Sequence, residues 1–388
     1  MKKIIALTGI RSEYDILYPV LQKLKKNFNL RLIISGAHLS KVHGETYKMI
    51  VKDGFKILKK IKSLPKSDKY MQRPLAISKL IVQFTKIIEK ENPDFILVVG
   101  DREEAIAAAL VGNYMHKIVI HIGGGDNAFG NSDDPIRFAI SKLAHLHCCT
   151  SASSYKNLKT IGEETFRIFN TGNPYFANIH NTPLITRNDL LDKLKINNQF
   201  KNYIVLIKHP LSSELKQINQ QIKITLSALE KFCKKNNYAL ICISPNSDPG
   251  SKIINKILNK YKNKNWFYLE KSLPRNLFVN LMKHTKLLIG NSSMGILEAP
   301  YYKIPVINVG NRQKGRMNAG NVKFVKYNIK EIFSAINFSC FNKVYLQKIK
   351  KLKNPYGDKN SANKILKAIN SVDLDNQKWY IKRNNFHE

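Results

Sequence analysis

Four aspartates stand where a parallel sheet does chemistry. In FILVVGDREEAIAAALVGNYMHKIVIHIGGGDNAFGNSDDPIR, Asp101 follows the apolar run 95–99, Asp126 follows the run 118–122, and Asp133 and Asp134 open the next helical pattern. Uninterrupted apolar runs bounded by Pro93 and Gly100 suit strands buried on both faces. Ligands of open α/β sheets bind beyond the carboxyl ends of such strands. Carboxylates gathered there can move a proton or stabilise developing positive charge. Each also has a plainer use: Asp101 as the cap of the helix after it, Asp126 as a loop acid, and Asp133 or Asp134 as the cap of a helix with Pro135 at its first position.

The cations narrow the chemistry. Formal net charge is +36, which invites a nucleic-acid or anionic-surface reading. The lysines argue against it, because they are scattered with Asn and Ile along every helical pattern, as an AT-rich coding sequence favours, and form no stripe. Only 11 of the 64 basic residues are Arg, yet Arg11, Arg102, Arg137, Arg312 and Arg316 all fall in glycine- or acid-containing turns. A planar guanidinium there suits bidentate recognition of phosphate or carboxylate. The expected partner is a small anionic substrate, with no nucleic acid and no membrane.

Five cysteines, odd in number and without CxxC spacing, fit a reduced, cytoplasmic chain. His145-Leu146-His147-Cys148-Cys149 superficially resembles a metal cluster, but alternation along a strand splits its side chains between two faces and no second ligand pair follows at zinc spacing. We read it as a structural strand, with no metal site. The apolar start is broken by Gly9 and Arg11, too early for a signal peptide, and no apolar run reaches about 18 residues.

The elements that position these residues alternate. Strand patterns at 3–7, 30–35, 55–58, 95–99, 118–122, 146–150 and 167–170 are separated by helical patterns at 13–26, 44–52, 75–91, 102–114, 135–143 and 152–161. That series reads as a Rossmann-like domain over 1–172. Residues 173–200, with Asn-Pro, Thr-Pro and clustered Asn, read as a hinge. A second series over 201–353 has strands at 203–207, 238–244, 266–269, 286–289 and 306–309, and 354–388 remains as a terminal helix and a tail without an evident role. Two Rossmann-like domains joined by a hinge set their strand ends toward a shared cleft, the expected site.

The second series has a phosphate-type turn of its own. Ile289-Gly290-Asn291-Ser292-Ser293 ends a strand and starts a helix, so Ser292, Ser293 and backbone N–H groups can hold a diphosphate, while Glu298 can accept from a ribose diol. An ordinary N-cap accounts for the serines equally well. Lys208-His209-Pro210 and the turn from Gly310 to Arg316 lie at neighbouring strand ends.

In order, GIRSEYD, SGAHLS, GDREE, HIGGGD, DDPIRFAISKLAHLH, KHP, GNSSMGILEAP, GNRQKGR and NPYGD resemble the motifs of the UDP-N-acetylglucosamine 2-epimerase family, from Met1 to about Ile369. The resemblance implies an α/β GT-B fold with two Rossmann-like domains, and a C-terminal helix returning to the first. The turn with His38, together with Tyr14, GNSS and RQKGR, looks closer to the hydrolysing branch that feeds sialic and legionaminic acid synthesis. The implied reaction is anti elimination of UDP from UDP-N-acetylglucosamine to 2-acetamidoglucal, then syn hydration to N-acetylmannosamine, with no cofactor. Carried over by position, Asp101, Asp134 and His209 match catalytic residues, Arg11, Ser292, Ser293 and Glu298 match nucleotide-binding ones, and Phe278 falls where an aromatic packs on the base. Asp126 stands where several hydrolysing relatives have Glu, whereas Gly123 offers no side chain where other members carry Glu. With His38, Arg137, Arg312 and Arg316 these form the expected site. Relatives imply a homodimer or homotetramer. Three other readings stay open: a GDP- or UDP-linked N,N'-diacetylbacillosamine 2-epimerase, a GT-B glycosyltransferase, and a weak anion or RNA binder.

Overall fold

The computed structural model describes every residue except 66, 68–70, 128–132, 247 and 386–388, and the side chains of the others except Asp133 and Ser212. Two compact units result. The first comprises the chain up to Asn127, the stretch ending at His180 and the segment from Tyr356 onward; the second comprises Asn181–Pro355. The crossing falls at His180–Asn181, within the stretch 173–200 read as a hinge. The helix Tyr175–Asn181 is buried in the first unit, where Asn178 Nδ2 donates to Asp15 O at 2.6 Å. Residues 181–200 belong to the second unit and include the helix Arg187–Lys193.

The first sheet contains β1 (Lys3–Thr8), β2 (Asn29–Ser35), β3 (Ile57–Ile61), β4 (Phe95–Val99), β5 (Ile118–Ile122), β6 (Leu146–Cys149) and β7 (Ile168–Asn170). All pairings are parallel, in the order β3-β2-β1-β4-β5-β6-β7. Pleating sends Ile4 and Ala6 of β1 with Phe95 and Leu97 of β4 to one core, and Ile5 and Leu7 with Ile96 and Val98 to another. The first core is roofed by the helices Arg11–Asn27 and Ser361–Asn370, whose Ile365 and Ile369 are fully buried. Each such side chain contributes about 1.5–3 kcal/mol over its exposed state. Edge strand β3 starts two residues later than its apolar pattern suggests, with Lys59 and Lys60 exposed as edge lysines.

In the second unit β8 (Asn202–Ile207), β9 (Tyr238–Ile243), β10 (Phe267–Glu270), β11 (Leu287–Gly290), β12 (Val306–Val309) and β13 (Val322–Val325) pair in parallel in the order β10-β9-β8-β11-β12-β13. Sequence patterning misses β13, a four-residue edge strand with only Val325 buried. Strand order reverses between β1 and β4 in one unit and between β8 and β11 in the other. Those two switch points carry the turns Gly9–Arg11 and Gly100–Arg102, and Lys208–Pro210 and Gly290–Ser293.

Gly290 shows how tightly one switch point is closed. Its φ is +136°, and a Cβ added there would lie 2.0 Å from Ile207 O on the paired strand. Gly290→Ala is expected to cost about 3 kcal/mol or more, read as a lower urea midpoint for the second unit; an unchanged midpoint would refute this account.

Candidate active site

In the first unit, β4 ends at Val99 and the helix Glu103–Tyr114 begins three residues beyond Gly100. Arg102, not Asp101, is its N-cap residue, and the Arg102 side chain makes no capping bond. Asp126, which follows β5, is buried rather than a free loop acid. The helix Asp133–Leu143 crosses between them, and Arg137 on it hydrogen-bonds Asp101 Oδ2 through Nη2 and Asp126 Oδ2 through Nη1, the latter at 3.3 Å. One guanidinium thus joins acids from two neighbouring strand ends. The helix already starts at Asp133, so Pro135 is its third residue, not its first. Asp134 lies three residues before Arg137, hence toward the same helix face; the side chain of Asp133 lies outside the described residues.

A buried histidine locks this arrangement. His121 on β5 is fully buried, with Nε2 2.8 Å from Gly100 O and Nδ1 3.3 Å from Ser141 Oγ. Burial, opposed by the Gly100 carbonyl, lowers its pKa to about 3, so the ring is neutral. Nε2 then donates to Gly100 O, and Nδ1 lies beside the hydroxyl of Ser141, whose one proton is directed at Arg137 O. The residue before Asp101 is in this way tied to the helix of Arg137.

Arg11 and His38 stand apart from that bridge, at the ends of β1 and β2. Arg11 Nε donates to Asp15 Oδ2 at 3.2 Å. His38, expected to touch substrate, is fully buried between Thr8 Oγ1 at 3.1 Å and Thr46 Oγ1 at 2.7 Å. Its pKa falls to about 3 through burial. It holds the turn closed and does not face outward.

Sequence reasoning passed over a carboxyl pair at the β1/β4 switch point. Glu13 and Glu104 are 7% and 5% exposed. Gly9 N–H donates to Glu13 Oε2 at 2.9 Å, and Ser35 Oγ donates to Glu104 Oε1 at 3.1 Å, while Glu13 Oε1 and Glu104 Oε2 have no hydrogen-bond partner among the described residues. A Cβ on Gly9 or Gly36 would fall 2.1 or 2.4 Å from the Glu104 carboxyl, so both glycines are required by its packing. Burial, then Glu104, raise Glu13 to about 8 against the pull of Arg102; burial likewise raises Glu104. In sequence an acid in a first helical turn reads as a partner of the helix dipole, which conceals such a pair.

In the second unit Asn291 organises the turn. Its Oδ1 accepts His209 N–H at 2.7 Å, its Nδ2 donates to His209 O at 2.9 Å, and its own carbonyl accepts from Arg312 Nη1 at 3.0 Å and Gln313 Nε2 at 3.2 Å. Arg316, 6% exposed, donates to Gln313 Oε1 at 2.8 Å. The β8, β11 and β12 turns are thereby one assembly. His209 Nδ1 accepts from Asn246 N–H at 3.1 Å, which leaves the proton of the neutral ring on Nε2. Ser293 is the N-cap residue of the helix Met294–Leu297 without a side-chain cap bond, and Ser292 Oγ accepts only a 3.4 Å contact from Met294 N. The N-cap explanation of these serines is weakened accordingly. Glu298 joins two short helices and is half-buried, as is Phe278 against the core of this unit. Lys208, named in sequence only as part of the turn with His209, is buried beside Tyr327 Oη and drawn down to about 7 by burial. Among the described residues no three His, Cys, Asp or Glu side chains gather as metal ligands, and His147 of the apparent cluster instead meets Glu163 at 2.8 Å.

The raised pKa of Glu13 fixes a sign. Below its ordinary 4.5 the group is protonated folded or unfolded and costs nothing; between 4.5 and about 8 it costs stability progressively, because only the unfolded chain ionises freely. Glu13→Gln is expected to raise Tm more at pH 8 than at pH 5. Equal shifts at the two pH values in thermal melts would refute the buried-acid account.

Residues 22–370 match the family model described as UDP-N-acetylglucosamine 2-epimerase. A GDP/UDP-N,N'-diacetylbacillosamine 2-epimerase (hydrolyzing) from Campylobacter jejuni is 35% identical over 325 residues, covering 83% of each chain. A UDP-N-acetylglucosamine 2-epimerase from Neisseria meningitidis is 31% identical over 344 residues, 88% of each. In structure, the UDP-GlcNAc 2-epimerase from Neisseria meningitidis bound to UDP-GlcNAc superposes with a TM-score of 0.78 at 20% identity, covering 95% of this chain and 100% of that one. That likeness shows the fold, two Rossmann-like domains of GT-B type. With the family model spanning most of its length, the chain belongs to the UDP-N-acetylglucosamine 2-epimerase family.

Proposed function

We propose that this enzyme is a hydrolysing 2-epimerase of a nucleoside diphosphate-linked 2-acetamido sugar, with UDP-N-acetylglucosamine as the substrate its motifs resemble. The observation that carries the reading is the Arg137 bridge between Asp101 and Asp126, which sets two carboxylates beside one another at strand ends. A 2-epimerisation needs a base for a weakly acidic C–H and stabilisation of a departing diphosphate. The acid cluster suits the first need and the turn organised by Asn291 suits the second.

In the first step Asp101 takes the C2 proton as the C1–O bond breaks and UDP leaves, giving 2-acetamidoglucal. In the second, water adds across C1=C2, its hydroxyl to C1 and a proton to C2, giving N-acetylmannosamine. Asp126 and Asp134 act as acid–base or electrostatic partners, and His209, with its Nε2 proton, serves the diphosphate or the sugar. Arg11, Ser292, Ser293, Arg312 and Arg316 serve the nucleotide, Phe278 the base and Glu298 the ribose. The space at Gly123, where the resemblance places a Glu in other members, stays open: a Cβ added there meets nothing within 4 Å among the described residues. Asp101, Asp126 and Asp134 are the acids assigned to this reaction. Five free thiols, four of them buried, are in keeping with a reducing cytoplasm.

A second reading replaces the sugar by a 2,4-diacetamido one, favoured by the 35% identity to the Campylobacter jejuni diacetylbacillosamine enzyme. Incubation in D2O, followed by proton and phosphorus NMR, separates the readings. UDP release with C2-deuterated N-acetylmannosamine is expected from UDP-N-acetylglucosamine; turnover of the diacetamido substrate alone selects the second reading, and equilibration to UDP-N-acetylmannosamine refutes hydrolysis. Asp101→Asn is expected to lower kcat at least about 100-fold, and normal turnover by that variant would remove Asp101 as the base.

A further inference from the structure

The chain's last segment lies beyond residue 370, where the family match stops, and its sequence suggests no role. In the structure it is bolted to the first unit. Arg167, fully buried, donates to the carbonyls of Lys378, Trp379 at 3.0 Å and Ile381 at 2.8 Å, and to His145 O at 3.2 Å. Trp379 is buried, edge-on to Phe166 with ring centroids 5.2 Å apart. Asn385 N–H donates to Gly162 O at 2.9 Å.

These anchors deliver Lys382 to one place, the carboxyl end of the helix Asp133–Leu143. The last carbonyls of a helix lack partners within it and carry partial negative charge. Lys382 Nζ donates to three carbonyls there, Ser141 O at 3.1 Å, Lys142 O at 2.8 Å and Ala144 O at 2.6 Å. Its counter-ion is Glu163, whose side chain is fully buried and 2.7 Å away. Lys142 of the same helix and His147 of β6 meet that carboxylate too, each at 2.8 Å. A lysine from the tail, a lysine from the helix and a histidine from the sheet therefore converge on one acid.

The helix held in this way carries the catalytic assembly. Ser141, whose carbonyl Lys382 binds, has its hydroxyl on Arg137 O at 3.0 Å and beside His121. His121 reaches Gly100 O, and Arg137 reaches Asp101 and Asp126. An unbroken series of contacts runs from the tail to both acids.

We propose that Lys382 is a positioning residue: by capping the Asp133–Leu143 helix it fixes Arg137 and His121, and through them the placement of Asp101 and Asp126. Its catalytic consequence rests on the function proposed above, whereas the helix capping does not. A displacement of about 1 Å in a reacting group can cost about 100-fold in rate, so a shifted helix is felt in kcat before binding.

Three versions of the protein test this: Lys382→Met, Lys382→Arg, and a chain ending at Tyr380, which removes the capping segment and keeps Trp379. Expected are a fall in kcat of about tenfold or more in the Met variant and the shortened chain, with KM within about twofold, and substantial recovery in the Arg variant, since positioning loss appears in kcat. Hydrogen exchange of the amides in 133–143 should quicken while that of β1 and β4 is unchanged. Wild-type kcat and exchange in both variants would overturn the proposal. So would equal loss of protection throughout the unit, which marks a merely structural tail. If the unaltered protein turns over no nucleotide sugar, the proposed function falls, and the exchange measurement still decides the capping role.

Discussion

The acid cluster depends on one guanidinium. Two carboxylates at adjacent strand ends repel each other, and Arg137, whose side chain is only 11% exposed, lies between them. A buried pair of this kind adds little net stability over an apolar one, yet losing a partner costs about 3–5 kcal/mol because a charge is left uncompensated. Its value lies in position. What keeps Arg137 in place is the helix behind it, and that helix is fixed by His121 through Ser141 and capped by Lys382.

The second unit solves the matching problem with a neutral residue. Asn291 offers a donor and two acceptors in fixed directions, and with Arg312 donating to its carbonyl it joins three strand-end turns. Its amide holds both polar atoms of the His209 backbone. At Gly290 the backbones of β8 and β11 approach too closely for a Cβ, next to the turn bearing Ser292 and Ser293.

Much of the fold was legible in sequence because buried parallel strands are short apolar runs ended by Gly or Asp, as at Val99-Gly100-Asp101 and Ile122-Gly123. Asp101 and Asp126 were legible for the same reason, since both follow strand ends, whereas Arg137, read in a turn, lies within the helix Asp133–Leu143. The burial of His38 was not legible, because a strand-end histidine looks alike whether it points outward or is clamped by Thr8 and Thr46. Glu13 and Glu104 escaped for the converse reason: long acids in first turns look solvated until Gly9 and Gly36 are seen to make room for one of them.

The sequence by itself determined that two alternating α/β series exist, where most of their strands lie, and that Asp101 and Asp126 follow two of them, because these follow from local periodicity and turn chemistry. Only the tertiary structure decided which ends are neighbours, that one arginine serves two aspartates, that Asn291 unites three turns, and that the tail caps the helix of Arg137. Lys382 and Ser141 are 241 residues apart. Contacts of that kind are set by the packing of whole elements, and nothing in the local pattern around either residue encodes them.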